Sequence, residues 1–280
     1  MKLHPKIIEL LTKRGIQSDD DIKEFFSEKP QRTYDPFLLA DMEAGVDLLL
    51  SAIEDDRTIC IYGDYDVDGI TSTVILWEVL SLLTENLTYY IPSRFDEGYG
   101  LNKEAVRRIA ESGVGVILTV DNGSTSLEEI ELAGELGMDV LVTDHHNIAD
   151  RRPNCLTINP KRPDSKYPFH ELAGCGVAFK LAQALVDVTG LPKETTTRLL
   201  DLAAIGTVAD IVPLIDENRT IVKYGLQLIH IGNRENLKAL FEKSAIDIGK
   251  ANTRDIGFAI APRLNAAGRI EHASIGVNMF

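Results

Sequence analysis

Three short stretches concentrate carboxylates and imidazoles: Gly63-Asp64-Tyr65-Asp66-Val67-Asp68-Gly69, Asp121-Asn122-Gly123 and Asp144-His145-His146. A further acid, Asp210, closes Gly206-Thr207-Val208-Ala209-Asp210. Asp64, Asp66 and Asp68 crowd into one turn, where mutual repulsion is costly unless a cation neutralises them. Oxygen donors suit Mg²⁺ or Mn²⁺, and an added imidazole moves the preference toward Mn²⁺ or another transition ion. Two such ions ~3.5–4 Å apart can share one carboxylate, an arrangement suited to in-line displacement at phosphorus. Each stretch alone has another explanation. Asp-x-Asp-x-Asp-Gly resembles a calcium loop, although the twelfth position, a glutamate in the EF-hand, is Ile75. Asp-Asn-Gly is a common turn, and two adjacent histidines can be one core and one surface residue. A glycine-containing loop after a strand could cradle a dinucleotide, but GxGxxG is missing and acids stand where phosphate needs donors.

The elements around these stretches favour the metal. Thr58–Tyr62, Leu87–Ile91, Val114–Val120 and Asp139–Thr143 are short apolar runs rich in β-branched residues. Helical periods lie between them at Ile70–Leu83, Lys103–Glu111 and Leu127–Leu136. Apolar strands alternating with helices predict an α/β fold with a parallel sheet covered on both faces. The acidic stretches fall at the ends of the first, third and fourth strands, where open parallel sheets place their sites. Before the sheet, residues 1–55 read as short helices, one opened by Ser18 with Asp21 three residues on. Arg151–His170 reads as a long proline-rich loop, and helices dominate after Ala173.

Composition narrows the class. Lys and Arg total 29 against 43 Asp and Glu, a net charge of −14, which argues against a protein that grips nucleic acid by bulk electrostatics. Bound cations invert that logic locally, so a metal-dependent nucleic-acid enzyme remains open. The start carries no secretory apolar run, no stretch suits a bilayer, and Cys60, Cys155 and Cys175 form no CxxC pair. These features predict a cytoplasmic protein without a membrane role.

GDYDVDG, VDNG, TDHH and GTVAD occur in the order of the DHH phosphoesterase superfamily, and the wider text resembles its RecJ-type branch. DPFLLADM precedes the first strand, IPSRFDEGYGLN follows the second, and APRLNAAGRI lies near the end. The resemblance implies a DHH domain over residues 56–215. It also implies a helical segment, 216–280, leading toward a C-terminal domain that this sequence does not contain. It implies a 5′-to-3′ single-stranded-DNA exonuclease of DNA repair and recombination, with two divalent cations, Mn²⁺ ahead of Mg²⁺, and replication or repair proteins as partners. Asp66 and Asp64 would hold one ion, Asp68, His145 and Asp210 the other, and Asp121 would bridge them. His146 would contact the scissile phosphate, Asp144 would orient a histidine, and water on the metal would be the nucleophile. Arg94, Arg263, Asn265 and Arg269 would contact the DNA backbone. Two rivals stand beside this reading: a phosphodiesterase of short oligonucleotides or cyclic dinucleotides, and a non-catalytic replication scaffold.

Overall fold

Five runs pair into one all-parallel sheet: β1 (Thr58–Tyr62), β2 (Leu87–Tyr90), β3 (Val114–Val120), β4 (Asp139–Thr143) and β5 (Leu156–Ile158). The spatial order is β2-β1-β3-β4-β5. The chain leaves β1 for β2 on one side and returns to place β3 on the other, so the topological switch point lies at the carboxyl ends of β1 and β3. The structure is a computed structural model and describes residues 3–149, 151–270 and 273–280, apart from the side chains of residues 267, 269 and 270.

The period-2 alternation of each strand divides the core in two. Ile59, Ile61, Leu118, Val120 and Leu141 face one layer, formed by α3 (Met42–Glu54), α4 (Val67–Leu80) and α7 (Gly174–Thr189). Cys60, Tyr62, Ile117, Val140 and Val142 face the other, formed by α5 (Lys103–Glu111) and α6 (Leu127–Glu135). The parallel sheet covered on both faces is therefore present as expected. A third apolar cluster joins α9 (Leu200–Ala209), α10 (Asp216–Ile231) and α11 (Glu235–Lys243) to the segment after Ala251.

Two expectations change. The proline-rich stretch is not all loop, because Leu156–Ile158 forms β5 on the edge of the sheet. Three residues are too few for alternation to show. The strand matters, since its Ile158 carbonyl accepts Asp144 N at 3.1 Å and carries the ladder into the Asp-His-His turn. Helix α4 begins at Val67, not Ile70, because Asp66 caps it by accepting Gly69 N at 3.0 Å. Asp68 is thereby a buried helix residue rather than a loop residue.

The amino-terminal helices α1 (Pro5–Thr12) and α2 (Asp19–Phe26) are short, and Ser18 caps α2 by accepting Asp21 N. The following extended stretch is tied to the body by a buried ion pair, Lys180 to Glu217 at 3.0 Å. Glu217 also accepts from Thr33 and Tyr167, while Lys180 donates to the Tyr34 carbonyl. A charge pair this deep is tolerable because both members make further hydrogen bonds. Among the described residues, no helix is long and apolar enough to cross a membrane.

The carboxy-terminal elements are α12 (Thr253–Asp255), a π-helical turn (Ile256–Ile260), α13 (Ala261–Ile270) and α14 (Ser274–Met279), with α8 (Glu194–Thr197) a single turn earlier. Pro262 explains the π turn. Proline lacks the N–H that would bond four residues back, and its ring would strike that carbonyl. The preceding turn widens instead, and Ala261 N donates to Ile256 O, five residues back.

Candidate metal centre

The strand ends bring the acidic stretches together. Asp64, Asp66 and Asp121 present oxygens within 4.8 Å of one another, and so do the ligand atoms of Asp68, His145 and Asp210. Asp121 joins the two sets: its Oδ1 lies 3.1 Å from His145 Nε2, which is 3.8 Å from Asp68 and 3.7 Å from Asp210. A third set, Asp121, His145 and His146, overlaps both.

Each donor is aimed by its element. Asp68 sits in the first turn of α4 and accepts Gly174 N at 2.7 Å and Cys175 N at 2.9 Å, the opening amides of α7. Asp121 takes a left-handed backbone, φ 61°, which an aspartate tolerates and which turns its side chain back over the sheet edge. Asp144 accepts from Ser124 N, His145 N and His146 N, and its Oδ1 is 2.8 Å from His146 Nδ1. Asn159, just past β5, donates to the His146 carbonyl and to Ser124 Oγ. His146 is thus held from behind while its side chain stays 44% exposed, whereas His145 is 7% exposed.

Two glycines are required by space. A Cβ on Gly174 would lie 2.6 Å from Asp121 Oδ1, and one on Gly206 would lie 2.4 Å from Thr71 Oγ1 and 2.8 Å from Asp68 Oδ1. The donors therefore converge against bare backbone.

The residues fit a pair of cations on an observation independent of motif. Both Asp64 oxygens, Asp121 Oδ1 and both His145 ring nitrogens are buried without a hydrogen-bond partner among the described residues. His145 Nε2 and Asp121 Oδ1 are close, yet not aligned as a hydrogen bond. Buried polar atoms left unpaired cost free energy, and converging carboxylates compound it. Burial and then the charge of Asp66 push Asp64 up to about 7. Burial and then Asp68 and Asp66 push Asp210 up to about 7. Asp121 is raised well above the usual range by burial and then Asp68. Burial lowers His145, while the hydrogen bond from Asp144 raises His146. Burial would raise Asp144 too, but the hydrogen bond and charge of His146 and the backbone amides outweigh it and hold Asp144 down at about 2.

A pH prediction follows from these signs. Protons compete with metal at Asp64, Asp121 and Asp210, so Mn²⁺ affinity should climb as pH rises through about 7, with proton release on binding. In the metal-free chain the raised carboxyls favour the protonated fold, as does the raised His146. Stability should therefore fall without metal as pH rises from about 4 through about 7, between the ordinary and the raised carboxyl values. Calorimetric titration in buffers of different ionisation enthalpy, with denaturation in chelator, measures both. A pH-independent affinity would contradict the assignment.

The remaining expected site residues spread out. Arg94 is exposed, and its guanidinium lies 5.0 Å from the Tyr65 ring centroid, beside the Asp64–Asp68 loop. Arg263 is exposed and donates back to the Ala259 carbonyl of its own helix. Asn265 accepts Val67 N at 3.1 Å through Oδ1, so α13 grips the turn between Asp66 and Asp68. The side chain of Arg269 lies outside the described residues. Sequence reasoning did not single out Tyr99, whose hydroxyl donates to the Asp121 carbonyl at 3.0 Å and lies 3.2 Å from the His146 ring nitrogens. Nor did it single out the Gly174 and Cys175 amides. The small residues Ala173-Gly174-Cys175-Gly176 opening a long apolar helix were the available signal.

Asn265→Ala should strip Val67 N–H of its acceptor, a loss of about 1–3 kcal/mol where water cannot replace it. The expected result is several-fold weaker Mn²⁺ binding. An unchanged titration would show that α13 does not hold the loop.

The fold and site define a doubly wound α/β protein with a carboxylate–histidine centre at its switch point. Residues 58–207, just over half of the chain, match the DHH family, N-terminal domain. The chain belongs to the DHH family. It is 47% identical to the single-stranded-DNA-specific exonuclease RecJ of Bacillus subtilis over the whole chain and 35% of that relative. A crystal structure of exonuclease RecJ bound to manganese superposes with TM-score 0.78 at 36% identity, over 86% of this chain and 60% of the other. RecJ from Thermus thermophilus in complex with Mn²⁺ gives 0.79 at 33%, over 96% and 38%, and its Mg²⁺ complex gives 0.67. The chain thus spans about a third of its curated Bacillus relative.

Proposed function

We propose that this chain carries the catalytic centre of a single-stranded-DNA exonuclease, hydrolysing phosphodiesters stepwise from the 5′ end with two divalent cations. The observation that carries the reading is the pair of donor sets joined through Asp121, whose buried atoms lack partners. Asp64, Asp66 and Asp121 would hold one ion, and Asp68, His145 and Asp210 the other, with Asp121 serving both. The imidazole in the second set favours Mn²⁺ over Mg²⁺. When bound, the cations supply Lewis-acid stabilisation of charge developing on the phosphoryl oxygens and activate water.

The chain's own residues do the rest. Asp144 holds His146 in place and favours its protonated form, so the ring on the open side of the site would contact a phosphate oxygen and stabilise its developing charge. Tyr99 limits the swing of that ring. Arg94, with Arg263, Asn265 and Arg269, would position the strand through its phosphates. We read the DHH unit as residues 56–215, with helical segments 1–55 and 216–280 on either side, and the family match at 58–207 supports the central bounds. RecJ relatives named for single-stranded DNA support the substrate. We place this activity in the cytoplasm, in DNA repair and recombination beside replication and repair proteins.

The deciding experiment compares hydrolysis of a long single-stranded DNA, a trinucleotide and a cyclic dinucleotide in Mn²⁺. The expected order puts the long strand first, with 5′-mononucleotides released. Preference for the trinucleotide or the cyclic dinucleotide would replace the exonuclease reading with a short-substrate phosphodiesterase, and no turnover of any would favour a scaffold.

A further inference from the structure

Away from the metal centre, a cleft separates α1 and α2 from the stretch that opens α10. Two adjoining cavities, about 260 and 780 Å³, share the walls Arg14, Phe25, Ile215 and Arg219. None of the metal-set residues lines either cavity.

Four acids, Asp21, Glu24, Glu171 and Asp216, and four bases, Lys13, Arg14, Arg32 and Arg219, line the two cavities, and most are already engaged. Asp21 and Asp216 both pair with Arg32, at 2.9 and 3.0 Å, and Asp216 also accepts from Tyr34. Glu24 is occupied by the backbone amides of Gln31 and Arg32, and Lys13 pairs with Glu9. Arg219 is different. Its guanidinium carbon sits 4.1 Å from the Phe25 ring centroid, which covers one face but uses none of its N–H donors. Its Nε is buried without an acceptor, and no carboxylate pairs with it or with Arg14 among the described residues. Burial holds the Arg219 pKa below its usual value, with no anionic neighbour to offset it. A guanidinium partly withdrawn from water normally has a partner. In a chain of net charge −14, leaving two arginines unpaired on one cleft is the opposite of what composition provides.

We infer that this cleft is an anion site for a phosphate monoester, held between Arg14 and Arg219, with the larger cavity receiving the group that carries the phosphate. A dianion neutralises two fixed cations at once, which a single carboxylate does not, and guanidinium forks match phosphate oxygens bidentately. Pro213, Leu214 and Phe25 give the larger cavity an apolar wall against which a nucleoside fits. The ester could arrive as a free mononucleotide or as the phosphorylated end of a strand.

The test uses the full chain in excess chelator, where the acidic metal sets repel phosphate and leave the cleft as the remaining site. Inorganic phosphate, deoxyadenosine 5′-monophosphate and a short 5′-phosphorylated oligonucleotide are titrated by calorimetry. At least one should bind one to one, and whichever binds most tightly identifies the source. Arg219→Gln should weaken that binding at least tenfold, about 1.4 kcal/mol. Arg14→Gln should weaken it as well, and Asp121→Ala should leave it unchanged. Silence from all three ligands at about 10 mM, ten times a Kd of roughly 1 mM, would overturn the site. So would full binding by Arg219→Gln. If that variant does not fold, exposed Arg14 decides, and wild-type binding by Arg14→Gln overturns the inference. Loss of binding in Asp121→Ala would place the phosphate in the metal centre and also overturn it. Because no metal is present, the outcome is separate from the exonuclease reading.

Discussion

Asp121→Ala should lower the single-turnover rate by at least about a thousandfold, roughly 4 kcal/mol of barrier. The size of the effect comes from position. Asp121 belongs to the set with Asp64 and Asp66, and its Oδ1 is 3.1 Å from His145 in the other set. Its removal deprives both proposed ions of a ligand at once. Asp210→Ala touches one set only and should cost less. The fold should survive the change at Asp121, because its side-chain Oδ1 has no hydrogen-bond partner to lose. A circular dichroism spectrum and melting curve taken beside the kinetics separate loss of chemistry from loss of fold. Retention of more than about a tenth of the rate, a loss under ~1.4 kcal/mol, would rule out a shared ligand.

Chelation should abolish hydrolysis, and added Mn²⁺ should restore it. The same treatment lowers the melting temperature, since a ligand that binds the native state alone stabilises by about 2.7 kcal/mol at a hundred times its Kd. For this chain the structural reason is direct. Without cations, Asp64, Asp121 and His145 keep buried atoms without partners, and Asp64 and Asp210 hold protons up to about 7. With them, the same atoms become ligands. Hydrolysis that persists in thorough chelation, with an unchanged melting curve, would remove the metal from the mechanism. Activity lost with the melting curve unmoved would place the metal requirement with the substrate rather than with these residues.

Much of this molecule was legible in its sequence for two physical reasons. Strands of a parallel sheet buried on both faces must be nearly continuous in apolar residues, so β1, β3 and β4 announced themselves and carried the acidic stretches at their ends. A cluster such as Asp64, Asp66 and Asp68 is so unfavourable without a cation that its composition alone implied one. Local caps were legible too, because Ser18 and its partner three residues on satisfy helix amides within one turn. What the sequence did not yield depended on contacts between distant residues. The three-residue β5 has no period of its own and exists because β4 offers it an edge. The amides of Gly174 and Cys175 hold Asp68 across a separation of more than a hundred residues. The hold of Asn265 on the metal loop was not legible either, because it depends on the packing of α13, which brings its oxygen to Val67 N–H. The sequence thus determined which groups could bind metal and near which strand ends they lie. Only the tertiary structure decided that they converge into two neighbouring sets with Asp121 beside both, because convergence depends on sheet order and helix docking, which no local pattern encodes.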